Sequence, residues 1–144
     1  MATSVKALLE SKKIKSVLSV TPETTVYEAL YIMAEHNIGA LLVMENNELV
    51  GIFSERDYAR KGIILGRKAK STAMSEVMTP NVFTVGAEMN TTDCMELMSA
   101  KKFRHLPVVD GDKVIGVLSV GDIVTALMNE QKQHINFLES YIAS

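Results

Sequence analysis

The sequence predicts an α+β fold made of two copies of one β-α-β-β-α unit. The heptapeptide Gly51-Ile52-Phe53-Ser54-Glu55-Arg56-Asp57 returns 65 residues later as Gly116-Val117-Leu118-Ser119-Val120-Gly121-Asp122. At the same offset Val17 meets Val82, Val20 meets Val85, Glu23 meets Glu88, Met33 meets Met98, Val43 meets Val108 and Val50 meets Ile115, so the echo runs through a whole unit rather than one motif. The chain of 144 residues suits one compact domain, whereas a half of roughly 60 residues is marginal alone. The halves are therefore expected to pack face to face in pseudo-twofold symmetry, giving two related clefts. The expected division is 1–73, the first copy with an N-terminal helix and a connecting segment, and 74–144, the second copy with an extended C-terminal helix.

Each element has a local cause. Thr25-Val26-Tyr27-Glu28 has the form of a capping box, Ala29, Leu30, Met33 and Ala34 recur at helical spacing, and Asn37-Ile38-Gly39 ends the helix. An apolar strand over 40–44, a turn over 45–48 and a strand over 49–53 follow. The second copy repeats the plan with a helix over about 91–100, a strand over 106–109, a turn at Asp110-Gly111-Asp112 and a strand over 113–118. Further helices start at Ser54 and Ser119, and a short first strand is expected in 17–20 and 82–85. The basic, glycine-marked segment 61–71 reads as a connection. Flanking helices are expected at Val5, Leu8 and Leu9, and along Ile123, Leu127, Ile135, Leu138 and Ile142, where the last helix extends about 20 residues. Their apolar surface exceeds the needs of one small domain, which points to a homodimer or to an unidentified effector protein.

Composition narrows the function classes. The chain is 47% hydrophobic and 22% charged, its formal charge is −2, and no apolar run is long enough for a bilayer. The expectation is a cytoplasmic protein that neither spans a membrane nor binds nucleic acid, and the N-terminus lacks the pattern of a secretory signal. The single cysteine, Cys94, falls on the buried side of a helix with Met95 and Met98, and His36, His105 and His134 have no zinc-ligand spacing.

The pairs Ser54/Asp57 and Ser119/Asp122 support two readings. A serine cap answered by an acid three residues on satisfies free helix-start amides. The same hydroxyl and amides bind phosphate, while the carboxylate accepts hydrogen bonds from a ribose diol. Gly51 and Gly116 permit close approach of a backbone or a ligand, and a bulge or turn would ask for the same residue. No hydride-transfer or nucleotide-hydrolysis motif and no paired nucleophile and base is present, so holding is better encoded than transforming.

On these motifs, together with Gly39-Ala40-Leu41-Leu42-Val43 and Arg104-His105-Leu106-Pro107-Val108-Val109-Asp110, the chain resembles a tandem cystathionine-beta-synthase-type (CBS) domain pair, or Bateman module, over about residues 14–128. The resemblance implies an adenosine-nucleotide sensor that dimerises into a flat, four-repeat disc. It assigns the ribose to Asp122 and Asp57 and the phosphate neighbourhood to Ser119 and Ser54. A threonine before the short opening strand lines the adenosine pocket, a part matched by Thr79 but not by its first-copy counterpart Ile14, so the expected principal pocket joins Thr79 to Asp122. Val82, Leu106 and Pro107 are expected around adenine, with backbone near Asn81 and Val82 reading the base edge. Arg104, His105 and Arg56 are the candidate phosphate partners.

The expected function is thus a regulatory module for AMP, ATP or NAD(H) that changes its repeat or dimer arrangement and signals to a partner, with no catalytic cofactor and no catalysis. The alternative is a ligand-independent dimerisation scaffold.

Overall fold

The computed structural model describes residues 3–12 and 17–143, and these form two compact units, each a three-stranded sheet with its helices. One unit is Leu18–Val82; the other joins Phe83–Ser144 to the N-terminal segment Met1–Val17. The division by repeat register at 73/74 and the division by packing therefore differ. Each copy receives the segment that leads into the other.

In the first unit β1 (Ser19–Val20) runs parallel to β2 (Ala40–Glu45), which pairs antiparallel with β3 (Glu48–Ser54). Helix α2 (Val26–His36) connects β1 to β2. Helix α1 (Val5–Ser11) precedes them in the chain and belongs to the other unit. Thr25 caps α2 by accepting the Glu28 amide at 3.2 Å, and only this arm of the expected capping box is present. The helix stops at Asn37, whose φ of 53° is the left-handed C-cap conformation that asparagine tolerates. Strand β2 is apolar from Ala40 to Met44 because both its faces are covered there: Leu41 and Leu42 are 1% and 0% exposed. The core gathers Val26, Ala29, Met33, Leu41, Val43 and Phe53, closed by Met74 and Val77 of α4 (Met74–Val77).

The second unit repeats this with β4 (Val85–Gly86) parallel to β5 (His105–Asp110), β6 (Lys113–Ser119) antiparallel to β5, and α5 (Thr91–Lys101) between β4 and β5. The correspondence reaches irregularities. A register shift falls between Val43 and Met44 in one hairpin and between Val108 and Val109 in the other. Lys102, with φ 59°, ends α5 as Asn37 ends α2. The hairpin turns differ as their sequences require. Asn46 and Asn47 both have positive φ, the type I′ pattern, whereas at Gly111-Asp112 only the glycine does, the type II′ pattern.

After the hairpins the copies diverge. Helix α3 (Glu55–Asp57) passes at once into a π-helical stretch, Tyr58–Ile63, where buried Gly62 lies against the Tyr58 ring. Its counterpart α6 (Val120–Ala143) is an uninterrupted 24-residue α-helix. A 3-10 turn at Ala69–Ser71 lies in the connection. Among the described residues, no helix is long and apolar enough to cross a membrane.

The lead-in segments dock in the same manner. On the first unit, Val26 donates to Thr72 O, Met74 to Thr24 O and Ser75 to Pro22 O. On the second, Thr91 donates to Thr3 O, Val5 to Met89 O and Lys6 to Ala87 O. Thr72 thus corresponds to Thr3 and Met74 to Val5, an offset of 69 rather than the 65 of the repeat body.

Candidate functional site

Both serine–aspartate pairs form complete reciprocal caps. The Ser54 amide donates to Asp57 Oδ2 at 2.9 Å while the Asp57 amide donates to Ser54 Oγ at 3.3 Å. The Ser119 amide donates to Asp122 Oδ2 at 2.9 Å and the Asp122 amide to Ser119 Oγ at 3.1 Å. Capping therefore accounts for both pairs, and in each it engages Oδ2. The other carboxylate oxygen lies outside the cap.

At the first motif that oxygen is approached from the second copy's lead-in. The Thr79 hydroxyl donates to Asp57 Oδ1 at 3.3 Å, and Lys61 Nζ stands 3.7 Å from the same oxygen and 3.5 Å from Thr79 Oγ1. Thr79 is fixed by its backbone, which exchanges hydrogen bonds with Ile52 at 2.8 and 3.0 Å. This bridge to β3 holds Thr79 beside Asp57, the aspartate of the first motif, whereas the sequence paired Thr79 with Asp122. Gly51 makes the approach possible, since a Cβ there would stand 2.5 Å from Met78 Sδ and 3.2 Å from Thr79 O.

At the second motif the visitor is Lys12. Its Nζ donates to Asp122 Oδ2 at 2.9 Å and to Val117 O at 3.0 Å. Gly116 lies under the same segment, with Leu9 Cδ2 2.7 Å from the position of an added Cβ. Burial alone would raise the Asp122 pKa, but the Ser119 amide and the Lys12 ammonium outweigh it and hold the carboxyl below its ordinary 3.8. Ile14 lies outside the described residues.

The other expected site residues divide between the units. Asn81, exposed with φ 55°, and half-buried Val82 belong with the first copy; Arg56 is exposed on α3. Arg104, exposed, and His105, half-buried at the start of β5 opposite Ser119, belong with the second, where the Arg104 carbonyl accepts the Val120 amide at 2.9 Å. Leu106 is 1% exposed among Val108, Leu118 and Ile123, so the core uses its side chain and leaves no surface for adenine, a further correction. Pro107 is likewise buried.

Sequence reasoning missed both lysines. Lys61 follows Asp57 at i,i+4, a legible spacing; Lys12 meets a residue 110 positions away and carries no local signal. It also missed a cavity of about 350 Å³ lined by Leu30, Met33, Ala34, Asn37, Ile38, Gly39 and Glu55, beside the start of α3. Among the described residues, no cluster of metal-ligating side chains occurs.

A sequence model described as the CBS domain matches residues 11–63 and 74–129. The chain is 38% identical over 149 aligned residues to the CBS domain-containing protein CBSX3, mitochondrial, of Arabidopsis thaliana, covering 98% of this chain and 72% of that one. A solved CBS-domain protein from Burkholderia ambifaria MC40-6 superposes with a TM-score of 0.85 at 42% identity, over 90% of this chain and 96% of that one. The crystal structure of CBSX2 in complex with AMP superposes with a TM-score of 0.73 at 30% identity, over 89% and 98% of the two chains.

Proposed function

The chain belongs to the CBS-domain family, whose tandem repeats are regulatory rather than catalytic domains, and on that premise we propose that it is an adenosine-nucleotide sensor. The observation that carries the proposal is the composition of the Asp57 site. One carboxylate oxygen, a threonine hydroxyl and a lysine ammonium converge outside the helix cap, which is what a ribose diol and its phosphate require. The AMP complex of CBSX2 supports the choice of an adenosine ligand.

In this reading Asp57 holds the ribose hydroxyls, Thr79 orients Asp57, and Lys61 with Ser54 meets phosphate. Asp122, Ser119 and Lys12 form the related second site, with Arg104 and His105 as further phosphate partners. Arg56, Asn81 and Val82 border the first site. AMP, ATP and NAD(H) share the adenosine and phosphate groups addressed here.

Signalling follows if the ligand prefers one arrangement of repeats or of paired chains, because a ligand shifts an equilibrium only by its difference in affinity. A homodimer in the cytoplasm that reports to an effector protein completes the proposal. The test is titration with AMP, ATP and NADH: saturable binding that weakens in Asp57→Asn supports the sensor, and absence of binding favours the dimerisation scaffold.

A further inference from the structure

The two motif aspartates meet their lysines in different ways. Lys61 Nζ stands 3.7 Å from Asp57 Oδ1 and 3.5 Å from both Met78 O and Thr79 Oγ1, so no single contact holds it firmly. Lys12 Nζ is seated, donating to Asp122 Oδ2 at 2.9 Å and to Val117 O at 3.0 Å. The repeat accounts for the difference. At the 65-residue offset Lys61 corresponds to Ala126, which is buried, so the second motif helix has no ammonium at that place and receives one from the N-terminal segment of its own unit.

That segment is anchored along its length. The Thr3 amide donates to Glu130 Oε1 at 2.8 Å, fully buried Val5 donates its amide to Met89 O at 2.8 Å, and Leu9 packs over Gly116. Lys12 follows as the C-cap of α1. Its ammonium completes the coordination of Asp122 Oδ2, because a carboxylate oxygen offers two lone pairs and the Ser119 amide takes the other. At Asp57 the second contact on Oδ2 is the Ser54 hydroxyl at 3.2 Å, whose hydrogen can rotate to another acceptor. A ribose diol that spans both carboxylate oxygens is therefore admitted at Asp57 by turning a hydroxyl. At Asp122 it has to break a charge-assisted bond of 2.9 Å.

We propose that the N-terminal segment is an autoinhibitory strap: Lys12 occupies Asp122 in place of a ribose, and the second motif takes a nucleoside only when Lys12 leaves the carboxylate, whereas the first motif stands open. The proposal rests on the reading of both aspartates as ribose sites. Strap and ligand compete for one carboxylate, and by linkage each weakens the other by the same factor.

The test is calorimetric titration of the full chain with adenosine, which lacks phosphate and so gains nothing from a nearby ammonium. Binding that depends on Asp122 should be about tenfold tighter in Lys12→Met than in the wild type. Lys12→Ala should behave as Lys12→Met does, and Lys12→Arg, which keeps the charge, should stay at the wild-type value. Adding Asp122→Asn to Lys12→Met should remove the gain. Equal affinity of Lys12→Met and the wild type, a gain that survives Asp122→Asn, or a gain in Lys12→Arg as large as in Lys12→Met would each overturn the proposal. Circular dichroism checks the folding of each variant. AMP titration of the wild type separates the two readings: binding there without a gain in Lys12→Met overturns the strap alone, and absence of AMP binding to every one of these proteins overturns the sensor and the strap with it.

Discussion

Thr79 belongs to the lead-in of the second repeat, yet its hydroxyl donates to Asp57 Oδ1, the aspartate of the first, at 3.3 Å. The pairing is built into the backbone, because Thr79 and Ile52 exchange two hydrogen bonds two residues before the Ser54 cap. Thr79→Val and Asp57→Asn should therefore act as one unit. Each should weaken AMP binding at this site by about tenfold, and the double variant should be much less than additive. Calorimetric titration of the cycle checks this; full additivity would separate the two residues.

Lysine charge should enter through phosphate. Lys61→Met is expected to weaken AMP binding several-fold and to make what remains less sensitive to salt, since an exposed ammonium acts through a screened field. Adenosine, which lacks phosphate, should bind the variant and the wild type alike. Competition titrations at two ionic strengths distinguish these outcomes.

The two motif glycines should differ in tolerance. A Cβ at Gly51 meets both the flexible Met78 side chain and the fixed Thr79 carbonyl, whereas at Gly116 the near atoms belong only to the end of Leu9. Gly51→Ala should cost about 1–3 kcal/mol and Gly116→Ala less. Denaturant midpoints provide the comparison, and the reverse order would contradict the docking described.

Asp122 gives the molecule an acid dependence. Its carboxyl titrates lower when folded than its ordinary 3.8, so folding favours the ionised form. Its contribution is complete above that ordinary value and fades as pH falls through the lower folded value, so stability rises with pH across this window. Asp122→Asn should flatten the acid limb of urea stability between about pH 5 and pH 2, and Lys12→Met should flatten it in part. An unchanged limb in both would remove the ion pair from the account.

Much of this was legible in sequence because its causes are local. The hairpin turns, the left-handed end of α2 at Asn37 and both serine–aspartate caps follow from a few adjacent residues, and the 65-residue echo revealed the repeat. The partner of Thr79 was not legible. The lead-ins correspond at an offset of 69, so the body register sends the comparison to Ile14, whereas the docked segments match Met78 to Leu9. Nor does any local pattern state that a lead-in packs on the opposite copy. Lys12 is hidden for the same reason, and Leu106 looked available because a motif cannot say which face of β5 meets the core.

The most direct measurement is calorimetric titration of the wild-type chain with AMP, repeated on Asp57→Asn, Thr79→Val and Asp122→Asn. The account predicts saturable binding with one component lost in both Asp57→Asn and Thr79→Val and retained in Asp122→Asn. Absence of binding to the wild type in both calorimetry and a fluorescent-nucleotide displacement assay would contradict it, as would loss of the Thr79-dependent component in Asp122→Asn alone.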